Sequence, residues 1–233
     1  MTLAEHIQAV QARIAAAAEK AGRDPSEVTL VAATKVQTSE TIRAAIAAGI
    51  TVCGENRAQE FTQHWQDGAY EGAKVHFIGH LQKNKLKYLV GKVDMIESVD
   101  SEELIRLIDK RAQNLGIVQD ILIEVNIGGE ASKSGVKPEA LVALAASLSS
   151  VEPRGLMAIP PVAHEPGANR SVFAAMHQLF IDIKGKTYDN KVNIDCLSMG
   201  MSGDFEDAIA EGATQVRVGT ALFGARPANR VNG

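Results

Sequence analysis

The hydrophobic positions of the chain follow two periods that alternate along its length. In the first segment Leu3, Ile7 and Val10 recur at the spacing of one helix face, and Gly22 ends the run. Residues 28–33 then form a short continuous apolar run, which is typical of a strand buried on both faces. From this point each strand-like run is followed by a helical stretch. The pattern therefore predicts a series of βα units behind one leading helix.

Eight strand-like runs can be placed at roughly even spacing. They lie near Thr29, Thr51, Lys74, Asp94, Asp120, Arg154, Val192 and Gln215. Eight such units predict a (β/α)8 TIM barrel with an extra N-terminal helix, as a single domain over residues 1–233. An open doubly wound sheet is the competing fold, but its Gly-x-Gly-x-x-Gly turn is missing after the first strand. The helix expected over residues 101–115 takes Asp100 and Glu103 as its capping box and ends at Gly116.

Composition and charge narrow the range of functions. The 233 residues carry 24 basic and 28 acidic side chains, and the formal net charge of −4 argues against broad binding to nucleic acid or to an anionic membrane surface. No apolar run approaches about 18 residues, so no membrane span is expected. Cys53 and Cys196 are too few for a disulfide framework and are expected to be reduced thiols. With no signal-like N-terminus, the sequence predicts a cytoplasmic protein.

Polar residues at the carboxyl ends of the strands are where a barrel of this kind carries its function. Ser202 follows the seventh run, and the eighth run ends in Gly219 and Thr220. Both segments are small turns that lead into a helix start, where unsatisfied N–H groups and the helix dipole attract anions. These two loops are also the common phosphate site of barrels, so a phosphate group is expected here. Ordinary capped turns are the alternative.

Lys35 follows the first strand after one intervening residue, Thr34. Its amine is expected to face the same mouth as the two phosphate-binding loops, although a solvated loop lysine is the plainer interpretation. A lysine that is partly desolvated beside other positive groups can form a Schiff base. A Schiff-base lysine beside a phosphate site suggests pyridoxal 5′-phosphate (PLP) as the cofactor.

Arg217 is the third candidate. Strand alternation puts Gln215, Arg217 and Gly219 on one face of the last strand, toward the expected phosphate. A buried guanidinium needs an acceptor. The sequence leaves two acceptors for the Arg217 guanidinium open: the pyridine nitrogen of a cofactor, or a structural carboxylate such as Glu55 or Asp195.

No metal centre is expected. His76 and His80 are four residues apart but flank a strand end, and no third ligand accompanies them. Phosphate-loop and nucleophile-elbow motifs are also missing from the sequence.

The segments that carry these candidates resemble those of the pyridoxal phosphate homeostasis proteins, a family similar to the barrel domain of alanine racemase standing alone. They run in order through nearly the whole chain. They include Val-Ala-Ala-Thr-Lys at 31–35, Gly-Glu-Asn at 54–56, His-Phe-Ile-Gly-His-Leu-Gln-Lys-Asn-Lys at 76–85, Glu-Ala-Ser-Lys-Ser-Gly at 130–135, Ser-Met-Gly-Met-Ser at 198–202 and Arg-Val-Gly-Thr-Ala-Leu-Phe-Gly at 217–224.

The resemblance implies a fold-type-III PLP barrel and a role for each candidate residue. It implies that Lys35 forms a Schiff base with PLP and that Ser202, Gly219 and Thr220 contact the phosphate. It also implies that Arg217 contacts the pyridine nitrogen and that Asn56 lies beside the ring. It also implies a monomeric protein that holds PLP and passes it to apo-forms of PLP-dependent enzymes, with no established reaction of its own. No role follows for residues 82–85 or 130–135.

Two enzymatic alternatives use the same residues. A small PLP-dependent amino-acid racemase needs acid–base groups on both faces of the substrate carbon, and Lys35 is the single evident one. A barrel aldolase acting on a phosphorylated sugar would use Lys35 as its Schiff-base lysine, again with no evident acid–base partner. The sequence therefore favours a PLP carrier involved in intracellular PLP homeostasis.

Overall fold

Eight parallel strands close into a barrel in sequence order, and β1 pairs with β8 to complete it. The computed structural model describes residues 1–127, 137–161, 165, 167–186 and 193–224. The strands are β1 (Thr29–Ala33), β2 (Val52–Glu55), β3 (Lys74–Phe77), β4 (Met95–Val99), β5 (Gln119–Val125), β6 (Val151–Ala158), β7 (Cys196–Ser198) and β8 (Gln215–Val218). The predicted (β/α)8 barrel is confirmed, and the open sheet is wrong.

Helices surround the barrel and connect its strands. They are α1 (Leu3–Lys20), α2 (Ser39–Ala47), α3 (Ala58–Gln66), α4 (Leu86–Leu89), α5 (Glu102–Leu115), α6 (Pro138–Ser147), α7 (Arg170–Lys184), α8 (Phe205–Ala210) and α9 (Thr220–Phe223). Within the described ranges, no helix combines the length and apolar content that a membrane crossing needs.

The leading helix α1 forms as predicted and packs against α8 and α9. Thr2 and Glu5 make a reciprocal capping box at its start, which satisfies two backbone N–H groups. Ile7, Val10 and Ile14 are buried on the inner face. Each such side chain contributes about 1.5–3 kcal/mol when it is fully buried, so this face holds α1 on the barrel.

The barrel interior is partly polar. In β8, Val216 and Val218 are fully buried in the main apolar core, whereas Gln215 and Arg217 make hydrogen bonds across the barrel. A TIM-barrel interior is usually filled by layers of branched apolar residues. Here a small separate apolar cluster, Val31, Ala33, Val52 and Ile78, is accompanied by a hydrogen-bonded group that we call the polar column: His76, Glu97, Ser198, Gln215 and Arg217.

Two local predictions differ from the structure. The seventh strand was expected near Val192, which lies outside the described residues, and β7 begins four residues later at Cys196. The capping box predicted on Asp100 is wrong, because Ser101 is the N-cap and its hydroxyl accepts the Leu104 N–H. The predicted stop is confirmed, since Gly116 takes the left-handed conformation that ends a helix without steric cost.

Candidate functional site

A cavity of about 440 Å³ opens at the carboxyl ends of β1, β2, β7 and β8. All six residues predicted as cofactor ligands line it: Lys35, Asn56, Ser202, Arg217, Gly219 and Thr220. The other lining residues are Ala33, Val36, Gln37, Ile78, Ile159, Met201, Gly203, Phe223 and Gly224. The structure therefore brings the candidates from both ends of the chain into one place. That they contact a cofactor stays a prediction.

Lys35 is the second residue of a tight turn over residues 34–37. The Gln37 N–H donates to the Thr34 carbonyl oxygen at 3.0 Å and closes the turn. Val36, the third residue, has a φ of 62° and is the one non-glycine residue with positive φ in the described ranges. Turns with positive φ at this position normally use glycine, and a left-handed conformation costs an L-residue about 1–2 kcal/mol. The backbone beside Lys35 is therefore strained.

Side chains from the next βα unit hold this turn. Glu60 Oε2 accepts the Val36 N–H at 3.0 Å. A hydrogen bond to a charged group contributes about 1.5–3 kcal/mol, which offsets the strain. Thr34 is fully buried, and its hydroxyl donates to Glu55 Oε1 at 2.6 Å. The contacts of Thr34 and Val36 therefore fix the backbone position of Lys35 between them.

Glu55 is fully buried at the end of β2 and lies at the centre of a polar cluster behind the turn. The Tyr70 hydroxyl donates to Glu55 Oε1 at 2.7 Å, and His64 Nδ1 lies 3.2 Å from the same oxygen. The hydrogen bond to Glu55 raises the pKa of His64, because it favours the imidazolium, and a backbone hydrogen bond with Gln37 acts in the same direction. His64 therefore connects the buried carboxylate to the end of the turn that carries Lys35.

Asn56 is placed by the close approach of two strand ends. A Cβ on Gly79 would lie 2.1 Å from the Asn56 carbonyl oxygen, so this position requires glycine. The Ile78 N–H donates to the Glu55 carbonyl oxygen at 2.8 Å beside this contact. Asn56 Oδ1 is buried, and within the described ranges no donor reaches it. Buried acceptors normally have a partner, so this oxygen fits a bound molecule that supplies a donor.

A second cavity of about 400 Å³ adjoins the first at Asn56. Gln82 and Lys85 line it, together with the start of α3. The sequence indicated no role for residues 82–85. In the structure this segment lines the cavity next to the predicted cofactor site. The other such segment, residues 130–135, lies outside the described residues.

Ser202 joins the loop after β7 to the start of α9. Its Oγ accepts the backbone N–H groups of Gly219 at 3.1 Å and of Ala221 at 3.3 Å. The exposed Thr220 hydroxyl lies 3.5 Å from the same oxygen. The two loops therefore present two hydroxyls at one place, and the Gly219 and Ala221 N–H groups hold one of them. This donor set suits a phosphate group.

Arg217 lines the cavity, although only 4% of its surface is exposed. Its Nη1 donates to Ser198 Oγ at 2.6 Å, and its Nη2 donates to the Ala158 carbonyl oxygen at 2.8 Å. The two carboxylates suggested by the sequence were the wrong ones. Glu55 lies in the cluster behind the turn, and Asp195 pairs with a different arginine.

Glu97 supplies the counter-charge that sequence reasoning missed. It is fully buried on β4 and accepts hydrogen bonds from Ser198 Oγ and Gln215 Nε2, each at 2.7 Å, while His76 Nδ1 lies 2.8 Å from it. Burial by itself would raise the pKa of Glu97, but the His76 hydrogen bond and the Arg217 charge outweigh burial and lower it. Burial lowers the pKa of Arg217, and the Glu97 charge opposes that effect.

The polar column reaches the opposite mouth of the barrel. A cavity of about 800 Å³ at the amino ends of the strands is lined by His76 and Gln215. Hydrogen bonds lead from His76 through Glu97 and Ser198 to Arg217, which lines the first cavity. The two mouths are therefore connected by continuous polar contacts.

Metal ligation and thiol chemistry have little support at this site. In the part of the chain that the structure describes, no three His, Cys, Asp or Glu side chains could hold a metal ion together. Cys53 and Cys196 are free thiols. Burial raises the pKa of Cys53 to about 12 and also raises the pKa of Cys196. Both thiols are therefore protonated near neutral pH.

Known proteins are similar to the chain over almost its whole length. The family model of the alanine racemase N-terminal domain matches residues 6–227. Pyridoxal phosphate homeostasis proteins from Aquifex aeolicus and Pseudomonas aeruginosa are 45% and 43% identical over 229 residues, covering 97% of this chain and 99% and 96% of their own. PipY of Synechococcus elongatus, solved with PLP bound, is 32% identical and has a TM-score of 0.82 over 96% of this chain and 100% of its own. The chain therefore belongs to the alanine racemase N-terminal domain family and, within it, to the pyridoxal phosphate homeostasis proteins.

Proposed function

We propose that the chain binds pyridoxal 5′-phosphate in the barrel-mouth cavity, attached to Lys35, and passes it to other proteins as part of PLP homeostasis. The similarity to proteins of that name, and to PipY with PLP bound, supports this role. The proposal includes a monomeric cytoplasmic carrier whose recipients are apo-forms of PLP-dependent enzymes. The two cysteines are free thiols, which is compatible with a reducing compartment.

The observation that carries the proposal is the convergence of complementary groups in one cavity. One cavity of about 440 Å³ is lined by Lys35, Arg217 and the donor set around Ser202. This volume is within the range of small-molecule sites. PLP has an aldehyde, a ring nitrogen and a phosphate, and the cavity offers an amine, a guanidinium and a group of N–H and O–H donors. The buried Asn56 Oδ1 adds an acceptor that a ligand can satisfy.

The chain's own groups determine how the cofactor is held. PLP supplies an aldehyde that bonds reversibly to an amine. The Ser202 and Thr220 hydroxyls bind the phosphate by hydrogen bonds, and the Gly219 and Ala221 N–H groups hold Ser202 Oγ in place. Arg217 donates to the ring nitrogen, and because a guanidinium does not give up its proton it leaves that nitrogen unprotonated.

The racemase and aldolase alternatives both require an acid–base group in addition to Lys35. Among the cavity-lining residues that the structure describes, only Lys35 and Arg217 have ionisable side chains. Arginine stays protonated, so Lys35 is the one base among the cavity-lining residues that the structure describes. A missing proton-transfer group typically removes a factor of about 10²–10⁴ in rate. This supports a carrier over an enzyme.

Borohydride reduction followed by peptide mapping tests the attachment. The wild-type protein loaded with PLP is expected to carry the label on the Lys35 peptide. Lys35→Ala is expected to lose both the label and the visible absorbance band. Lys87→Ala, which removes an exposed lysine outside the cavity, is the matched control. A label that stays at another lysine in Lys35→Ala would show that the anchor is elsewhere.

Reactivation of an apo-enzyme tests the carrier role. Loaded protein is mixed with an apo-form of a PLP-dependent enzyme, and the regained activity is measured. In parallel, alanine and serine are incubated with the loaded protein and analysed on a chiral column. We expect reactivation and negligible racemisation. Sustained racemisation that disappears in Lys35→Ala would instead identify a minimal racemase.

A further inference from the structure

The turn that carries Lys35 is held in a strained conformation by a side chain from a different element. Val36 has a φ of 62° at the third position of the turn, where glycine would carry no strain. Glu60 lies on α3, 24 residues away, and its Oε2 accepts the Val36 N–H at 3.0 Å. Strained backbone of this kind persists only where the surroundings enforce it, and it concentrates at functional sites.

We propose that Glu60 is a positioning residue for Lys35. Without the Glu60 carboxylate, Val36 leaves the left-handed region and the peptide between Lys35 and Val36 rotates with it. The direction in which the Lys35 side chain enters the cavity depends on that peptide. The phosphate-binding loops belong to β7 and β8 and do not depend on it. The proposal rests on the proposed function, in which Lys35 carries PLP.

Glu60 can be altered with less damage to the fold than the other anchors of the turn. Thr34 and Glu55 are fully buried, so their replacement would disturb the core. The Glu60 side chain is 23% exposed, and its two oxygens have different partners. Oε2 accepts the Val36 N–H, whereas Oε1 lies 3.4 Å from the exposed Arg57 side chain. The contact with the turn can therefore be separated from the surface ion pair.

Pyridoxamine 5′-phosphate makes the test specific, because it has the ring and phosphate of PLP but no aldehyde that could link to a lysine. Glu60→Ala is expected to weaken PLP binding about tenfold, about 1.4 kcal/mol, and to leave pyridoxamine 5′-phosphate affinity unchanged. Glu60→Gln keeps an acceptor oxygen and is expected to restore PLP binding close to that of the wild type. Arg57→Ala, which removes the ion pair but keeps the acceptor, is the matched control and should change neither affinity.

A second pair of variants removes the backbone strain at residue 36 instead of the Glu60 contact that supports it. Glycine adopts positive φ without steric cost, so Val36→Gly and Val36→Gly/Glu60→Ala are expected to bind PLP with equal affinity. This pair lacks the strained residue, so it can be measured even if Glu60→Ala alone does not fold. A tenfold difference within the pair would overturn the proposal.

Two further outcomes would also overturn it. Glu60→Ala that binds PLP as the wild type does would show that the Val36 contact has no effect on Lys35. Equal losses of PLP and pyridoxamine 5′-phosphate affinity would show a general structural role. A wild-type protein that binds PLP without labelling Lys35 would refute the proposed function itself, and the borohydride-labelled peptide distinguishes that result from the other two.

Discussion

Arg217 and Glu97 are bridged by one hydroxyl group, that of Ser198. Ser198 Oγ accepts a hydrogen bond from Arg217 Nη1 at 2.6 Å and donates one to Glu97 Oε2 at 2.7 Å. A hydroxyl that already donates to a carboxylate is a stronger acceptor, because hydrogen bonds in a chain polarise one another. The charge of the cavity-lining guanidinium is therefore compensated from within the barrel.

We expect Glu97 and Arg217 to be coupled in a double-mutant cycle. Glu97→Gln leaves a buried cation without its counter-charge, and Arg217→Met removes the cation that stabilises a buried carboxylate. Removing one partner of a buried pair costs about 3–5 kcal/mol. The double variant has neither charge, so its loss should be smaller than the sum of the single losses by at least about 1 kcal/mol. Urea unfolding of the four proteins measures the coupling.

Glu103→Gln is the matched control for this cycle. It removes an exposed carboxylate that pairs with Lys83 on the surface, where an ion pair contributes little to stability. Its unfolding free energy should stay close to that of the wild type. Strictly additive losses for Glu97→Gln and Arg217→Met would contradict the coupling.

The hydroxyls of the phosphate-binding loops should supply much of the PLP affinity. Each charge-assisted hydrogen bond contributes about 1.5–3 kcal/mol. Ser202→Ala with Thr220→Val is therefore expected to weaken PLP binding by a factor of about 100 or more, about 3 kcal/mol. Absorbance titration measures this, and pyridoxal, which lacks the phosphate, should bind both proteins equally. Normal PLP affinity in the double variant would place the phosphate elsewhere.

The stabilising effect of His64 should be larger in mildly acidic than in alkaline solution. The Glu55 hydrogen bond raises the pKa of His64 above the ordinary value of 6.5, so the folded state binds the proton more tightly than the unfolded state. This stabilisation is complete below about pH 6.5 and is lost as the pH rises through the higher folded-state pKa. The stability difference between the wild type and His64→Gln should therefore be greater at about pH 5.5 than at about pH 9.

Chemical unfolding at the two pH values tests the His64 prediction. His80→Gln, which changes an exposed histidine, is the control for a general pH effect. A His64→Gln difference that is the same at both pH values, or that grows toward alkaline pH, would contradict the assignment.

Neither cysteine should react readily with a thiol reagent in the native protein. The thiolate is the reactive form, and burial raises the pKa of Cys53 to about 12 and raises that of Cys196 as well. A chromogenic disulfide reagent at about pH 8 is expected to detect two thiols after unfolding and almost none before it. Rapid modification of the native protein would contradict this, and Cys53→Ala and Cys196→Ala would show which thiol is responsible.

The barrel and the location of its cavity could be predicted because both depend on local pattern. Regularly spaced apolar runs set the number of strands, and a parallel barrel brings the carboxyl ends of all strands to one mouth. Lys35 lies two residues after the end of β1, and Gly219 directly follows β8, so their meeting in one cavity follows from their places in the sequence. Their contacts with a cofactor cannot be read from position alone and stay a prediction.

Pairings between distant strands could not be predicted. Glu97 stands alone as an acidic residue in the apolar run 95–99, which signals a buried partner. The pattern does not tell which residue across the barrel that partner is, and Ser198 lies 101 residues further along the chain. The helix cap was missed for a related reason. Asp100 and Ser101 can both cap a helix, and the backbone geometry decides in favour of Ser101.

The polar column restricts how the interior of this barrel can change by mutation. Each of its members is hydrogen-bonded to another, so one apolar substitution leaves a buried donor or acceptor unsatisfied, at a cost of about 1–3 kcal/mol and more for a charge. Replacing the whole group together with well-packed apolar residues is often neutral or stabilising. Sequence drift proceeds one substitution at a time and must pass through the destabilised single variants. The buried charges of the polar column are therefore retained because each single substitution that removes one of them is destabilising. This holds whether or not the charges contribute to binding a ligand.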